Sequence, residues 1–194
     1  EVLEIAPASV TGMIKRLSAT KPPLVQYFKH RGVTLTAEGE RVALEVIRHH
    51  RLLELFLYET LGYSWDEVDA EADRLEHVIS EEFEARIAEV LGDPTYDPHG
   101  DPIPTKDLKM PSHAKLSLNE MCPNQRGTIQ RVRDTDPDLL RYLSEQGIVP
   151  QAHFTVTGYT SFDGNITIHV DGQNAPVVLG LRITRQIFVE QEIG

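Results

Sequence analysis

Sulfur is scarce in this chain. There is one cysteine, Cys122, so no internal disulfide can form. That usage fits a reducing compartment, and a cytoplasmic location is expected. Long apolar runs are lacking too. None approaches the roughly 20 residues that cross a bilayer, and no secretory leader is read, so no membrane partner is expected. Positive charge is also in deficit, with 19 Lys and Arg against 30 Asp and Glu, a net charge of −11. Taken whole, that balance argues against a nucleic-acid partner. Its distribution argues otherwise. Residues 1–48 carry 7 basic and 5 acidic side chains, residues 49–112 carry 5 and 16, and residues 113–194 carry 7 and 9. A mildly basic head can meet phosphates while an acidic middle third binds cations.

What is present is an ordinary globular composition, 40% hydrophobic and 25% charged over 194 residues. That length allows one large domain or two to three small ones.

In the head, Glu1–Ala6 reads as the end of a short helix, and Pro7 suits the first turn of the next. This second helix is expected to run to about Ser18 on an apolar stripe of Val10, Met13, Ile14 and Leu17. Its other face shows Ala8, Ser9, Thr11, Gly12 and Lys15, small or polar side chains that can lie in a major groove, with Lys15 and Arg16 placed for phosphates. A small surface helix would have the same spacing. Pro22-Pro23 ends helical structure. Leu24–Phe28 and Val33–Thr36 then read as two strands around the turn Lys29-His30-Arg31-Gly32. Helix, helix and basic-tipped hairpin is the winged helix-turn-helix pattern, with Lys29 and Arg31 touching the DNA backbone.

Thr36 is the expected N-cap of a long helix ending near Leu61, with Gly62 just past its end. Its broad apolar face comprises Leu44, Ile47, Leu52, Leu55 and Phe56. His50 and Glu54, four apart, can reach one ion or form a mere surface pair. Ser64 and Glu67 have capping-box spacing for the next helix, on which Asp73, Glu76 and His77 share a face at i, i+3 and i+4. Two carboxylates and an imidazole are poor packing material and a good cage for a divalent metal. The bland alternative is a solvated acidic face. Ser80 is expected to cap a further helix, Glu81–Leu91, with Phe83, Ile87, Val90 and Leu91 inward. The segment DPTYDPHGDPIP is read as a rigid Pro-rich loop.

The wording APASVTGMIKRL, LVQYFKHRGVTLTAEGE and RHHRLLELFL resembles the manganese transport regulators, within the diphtheria toxin repressor family of metal-activated transcription factors. RHHRLLE and DAEADRLEH, followed by DPHGDPIP, resemble that family's dimerisation and metal-binding domain. The resemblance implies a homodimer that binds double-stranded operator DNA when loaded with metal. It implies a further family helix, carrying some metal ligands, before Glu1. His50 falls on a metal-ligand position, and Asp73, Glu76 and His77 on the ligand cluster of the second helix. Glu54 and Asp69 fall on the ancillary site of the iron-type branch. Iron-type relatives place sulfur where this chain has Asp73. An oxygen and imidazole set is harder and suits Mn²⁺, with Fe²⁺ as the alternative and other divalent ions able to substitute.

In the tail, Leu116, Leu118, Gly127, Ile129 and Val132 open a β-rich pattern, followed by a short helix Pro137–Gln146. Strands His153–Tyr159 and Asn165–Val170 meet at Asp163-Gly164, and Val177-Val178 and Ile187–Val189 supply the last strands. This resembles the SH3-like domain of the ferrous-iron transport accessory proteins. By resemblance Asp136 lies near a position that reaches the ancillary site, although an N-cap before Pro137 explains it equally. The amide expected next is replaced by Leu139.

The expected fold is therefore α+β in three parts. A winged helix-turn-helix lacking its first helix spans 1–41, an all-α dimerisation and metal-binding domain 42–112, and an SH3-like β-barrel 113–194. The expected function is metal-activated repression of metal-uptake genes. Two other readings stand beside it. One is a metal-dependent hydrolase built on the same cluster, opposed by the absence of a helix-borne HExxH. The other is a DNA-binding module whose acidic helices only dimerise.

Overall fold

The computed structural model describes residues 7–133 and 136–192, with the side chains of Pro7 and Ala8 left aside. The helix end expected at Glu1–Ala6 and the side chain of Ala8 lie outside the described residues.

Helix α1 spans Pro7–Ser18 and strands β1 and β2 span Val25–Phe28 and Gly32–Leu35. The strands pair antiparallel around a turn in which His30 takes φ 63°. Helix α2, Ala37–Leu61, starts where the Thr36 side chain accepts the Gly39 N–H and stops at Gly62 in the left-handed region, φ 74°. Those are the cap chemistries expected of Thr and Gly. Gly39 is required for packing: a Cβ there would collide with the Leu24 carbonyl. The head is thereby seated against the first turn of α2.

Helices α3, Val68–Leu75, and α4, Glu81–Val90, pack on α2. Leu52, Leu53, Leu55, Leu57, Val68, Ala72, Ile87, Ala88 and Ile103 form their common core. Burying an aliphatic side chain stabilises by about 1.5–3 kcal/mol, and this shared cluster holds α3 and α4 on the long α2. Ser80 caps α4 through the Phe83 N–H. The expected inward face of α4 is corrected by half: Ile87 is buried, but Phe83 and Val90 are exposed at 47% and 68%.

The tail is a six-stranded antiparallel sheet in the order β3-β8-β4-β5-β6-β7. Its strands are Leu116–Ser117, Arg126–Val132, His153–Thr160, Asn165–Val170, Val177–Leu179 and Ile187–Gln191, numbered β3 to β8 in chain order. Helix α5 spans Pro137–Glu145 and a one-turn helix, α6, Leu181–Thr184. Bulges between Ile129 and Arg131 and between Val156 and Gly158 bend the sheet around a core of Ile129, Leu140, Leu143, Phe154, Ile166 and Ile168.

Trp65, from the turn before α3, is buried in that second core. The Val132 N–H donates to the His99 carbonyl, and Arg141 pairs with Asp66 at 3.1 Å. A Cβ on Gly100, φ 83°, would collide with the Gln130 carbonyl. The loop before the sheet is therefore pinned against β4, and the α-helical layer and the sheet share a wall.

Candidate metal centre

His50 emerges from the middle of α2 and faces α3. Its imidazole is the hub of two groups of carboxylates. On one side Nδ1–H donates to Glu76 Oε2 at 2.8 Å, with Asp73 Oδ1 at 3.7 Å. On the other, Nε2 lies 3.5 Å from both Glu54 Oε1 and Asp69 Oδ1. Asp69 and Asp73, four apart on α3, flank the ring, while Glu54 approaches from one turn further along α2. His50–Asp73–Glu76 and His50–Glu54–Asp69 each bring three donor atoms within 4.8 Å of one another.

The helix that was to carry Glu76 and His77 ends earlier than expected. It closes at Leu75, with Glu76 as its C-cap still in right-handed helical conformation and bonded to the Ala72 carbonyl. Glu76 therefore keeps its place on the face with Asp73, while His77 sits in the following turn. The His77 side chain is 72% exposed, and its Nε2 lies 3.3 Å from Glu76 Oε1, the oxygen that His50 leaves free. His77 is thus at the rim of the first lobe, joined to it through Glu76.

Two residues passed over as loop complete the second lobe. Glu54, Asp97 and His99 form a fully buried group of potential donors. His99 Nε2–H donates to the Trp65 carbonyl at 2.7 Å and the rings stack with centroids 5.4 Å apart. That bond orients the ring with Nδ1 facing Glu54 Oε1 at 3.5 Å. Asp97 in turn accepts the His99 and Asp101 N–H groups. Asp and His two apart in a Pro-rich loop was the available signal. Arg51, Arg133 and Gln186 join His50, Glu54, Asp69, Asp97, His99 and Asp101 around a cavity of about 480 Å³.

Arg51 pairs with Asp97 and Asp101 at 3.6 and 3.3 Å, and the two imidazoles answer the remaining carboxylates. Burial works to lower the His50 pKa, but hydrogen bonds to Asp69, Glu54 and Glu76 overcome it and raise it to about 11. His99 behaves alike: burial opposes, Glu54 and Asp97 prevail, and it rises to about 9. Burial would raise Glu54, yet both histidines hold it well below the usual carboxylate range. Asp97 is pushed up by burial and by the nearby Glu54. The proton on His50 is thus clasped as a cation would be, and a hard oxygen-rich donor set with imidazole nitrogen fits a divalent metal.

Asp136 does not join these groups. Its side chain caps α5, accepting the Asp138 and Leu139 N–H groups. Of the two roles the sequence offered, the structure shows the capping one: a carboxylate before Pro137 satisfies the free amides of the first turn.

On the head, Ser9, Thr11, Gly12, Lys15 and Arg16 are exposed on α1, and Lys29 and Arg31 are exposed at the hairpin turn. Val10, Ile14 and Leu17 are partly buried, while Met13 is 41% exposed.

A helical layer with an inward acidic and imidazole cluster, between a winged head and a small barrel, defines a metal-responsive regulator. Residues 36–105 match the iron-dependent repressor metal-binding and dimerisation domain, and residues 116–191 match the FeoA domain. The iron-dependent repressor IdeR of Mycobacterium leprae is 37% identical over 185 residues, covering 89% of this chain and 78% of that protein. The diphtheria toxin repressor of Corynebacterium jeikeium is 33% identical over 141 residues, covering 71% and 58%. A manganese-dependent transcriptional repressor in complex with manganese superimposes with a TM-score of 0.89 at 38% identity, covering 97% of this chain and 86% of that one. The chain belongs to the iron-dependent and diphtheria toxin repressor family of metal-dependent transcriptional repressors. That family is made up of repressors and not enzymes, and the hydrolase reading of the acidic cluster is set aside.

Proposed function

We propose that this chain is a Mn²⁺-activated repressor of metal-uptake genes, acting in the cytoplasm as a homodimer on double-stranded operator DNA. Three parts divide the work: residues 1–41 meet DNA, 42–112 bind metal and dimerise, and 113–194 buttress the metal-binding layer. The observation that carries the reading is the single imidazole of His50 set among Glu54, Asp69, Asp73 and Glu76.

His50, Asp73 and Glu76 would hold the regulatory ion, with His77 closing from the rim. Glu54, Asp97 and His99, with Asp69, would form an ancillary position. A bound divalent ion supplies the positive charge that this cluster otherwise draws from protonated histidine. A neutral imidazole has one lone pair, so His50 can serve one lobe at a time. His99 then gives the second lobe its own nitrogen. Glu76 and Asp73 would tie α3 to His50 on α2 through a shared ion, and α2 carries the head on its first turn. Oxygen-rich ligands favour Mn²⁺, and Fe²⁺ is the alternative ion.

Ser9, Thr11 and Gly12 present a small surface to the major groove. Lys15, Arg16, Lys29 and Arg31 meet phosphates. Phe83 and Val90, left uncovered on α4, and Val78 beside it offer apolar area to a second copy. Two copies would address half-sites about one helical turn, or a multiple of it, apart. By linkage, operator DNA tightens metal binding by the factor by which metal tightens DNA binding.

Gel-shift titration of the parent protein and His77→Ala tests the reading. The parent should bind operator only with Mn²⁺, and the variant should lose that response while remaining dimeric. Equal operator affinity of the parent with and without Mn²⁺ removes the sensor function.

A further inference from the structure

A third histidine and carboxylate cluster lies away from the regulatory centre. His49 is adjacent to His50 in sequence, but the helical turn of about 100° per residue sends it to another face of α2, against α4. There His49 Nε2 lies 2.9 Å from Glu84 Oε2 and 3.7 Å from Glu81 Oε1. The three donor atoms fall within 4.8 Å of one another. Glu81 and Glu84 are three apart in the first turn of α4, so both reach the same side.

Two further observations point to a ligand. His49 Nε2 is buried and has no hydrogen-bond partner, although Glu84 Oε2 is close. The carboxylate lies off the N–H direction, where it cannot accept well. Meanwhile Arg48 Nε donates to Glu84 Oε1 at 2.6 Å, and Arg48 also bonds the Pro104 carbonyl. That guanidinium fixes the carboxylate and leaves Oε2 turned to His49, as outer partners orient metal ligands. Bonds of about 2.1 Å to a common ion place neighbouring ligand atoms roughly 3.0–3.4 Å apart, and the two observed separations bracket that span. Glu81, 74% exposed, is the open edge, beside a cavity of about 330 Å³ lined also by Arg48, Glu84 and Lys106.

We propose that His49, Glu81 and Glu84 form a separate site for a zinc-class divalent ion, which braces the first turn of α4 on α2. Three protein ligands, one of them imidazole, leave a position for water and favour Zn²⁺ over the weaker-binding Mn²⁺. The site shares no ligand with the His50 centre. It gives the chain a zinc response independent of the regulatory ion.

The test is Zn²⁺ stoichiometry of the full chain after dialysis against buffered free Zn²⁺, measured by plasma mass spectrometry for parent, His49→Gln and Glu81→Gln. Each variant should bind one ion fewer than the parent, or show at least a tenfold loss of affinity for one ion. Mn²⁺ stoichiometry at the His50 centre should not change. Glu81 is exposed, so Glu81→Gln keeps the fold, checked by circular dichroism, even if His49→Gln does not. Folded Glu81→Gln with undiminished Zn²⁺ binding overturns the site. Loss of Mn²⁺ together with Zn²⁺ also overturns it, because the cluster would then be part of the regulatory centre.

Discussion

Loading the regulatory centre should release protons, and the number is set by His50. In the metal-free protein its pKa is raised to about 11, since the pull of Asp69, Glu54 and Glu76 exceeds the effect of burial. At pH 7 such a group is protonated about 10⁴ to 1, whereas a free imidazole is mostly neutral. A metal ligand must be deprotonated. Each ion that takes a His50 nitrogen therefore expels about one proton, and apparent affinity should rise about tenfold per pH unit from pH 7 to 9. If the lobe of Glu54, Asp97 and His99 fills as well, His99, raised to about 9, and Asp97, raised to about 8, each contribute a further proton. Titration calorimetry with Mn²⁺ in buffers of differing ionisation enthalpy counts these protons directly. The slope of observed enthalpy against buffer enthalpy should be about one for one ion and about three for both lobes. His50→Ala should lower it by one. A slope near zero at pH 7, or one unchanged by His50→Ala, refutes a protonated hub.

The same shifts set the stability of the metal-free fold. His50 is raised, so its contribution is complete below about pH 6.5 and is lost as pH climbs toward about 11. Glu54 is lowered to about 2, so its contribution is present above about pH 4.5 and lost in acid. Thermal melts should therefore peak between these limits and fall from pH 6.5 to 9, a fall that Mn²⁺ should suppress; a melting temperature flat over that range contradicts the clasped proton. Thr36→Ala removes the cap of α2 and should cost about 1 kcal/mol, lowering the melting temperature by about 2–4 °C. Gly100→Ala should detach the loop from β4, seen as faster proteolysis between residues 92 and 116, because its Cβ meets the Gln130 carbonyl. Lys15→Ala should weaken operator binding and lower the salt slope by about one unit; an unchanged slope excludes a phosphate contact.

Capping made much of the α-helical layer legible. Thr36 and Gly62 bounded α2, and Ser80 started α4, because short-range hydrogen bonding decides those points. Strand alternation placed β5 and β6 nearly residue for residue. What escaped depends on packing between distant segments. Asp97 and His99 read as turn residues, and only the fold brings them under Glu54 and Trp65. His49 reads as a neighbour of His50, yet the helix turns it to other partners. Phe83 and Val90 satisfied the helical period, but the layer covers Ile87 instead and leaves them outside. Asp73, Glu76 and His77 were expected on one helix face, whereas α3 ends at Leu75, and that separates His77 from the face it was expected to share.

One diffraction experiment bears most directly on His50 as the shared ligand. Crystals of the full chain grown with Mn²⁺ would be measured at the manganese absorption edge. The anomalous peak should lie within bonding distance of His50 and Glu76, with His77 drawn in from the rim. A well-occupied peak elsewhere, with the His50 ring still hydrogen-bonded to Glu76, would contradict it.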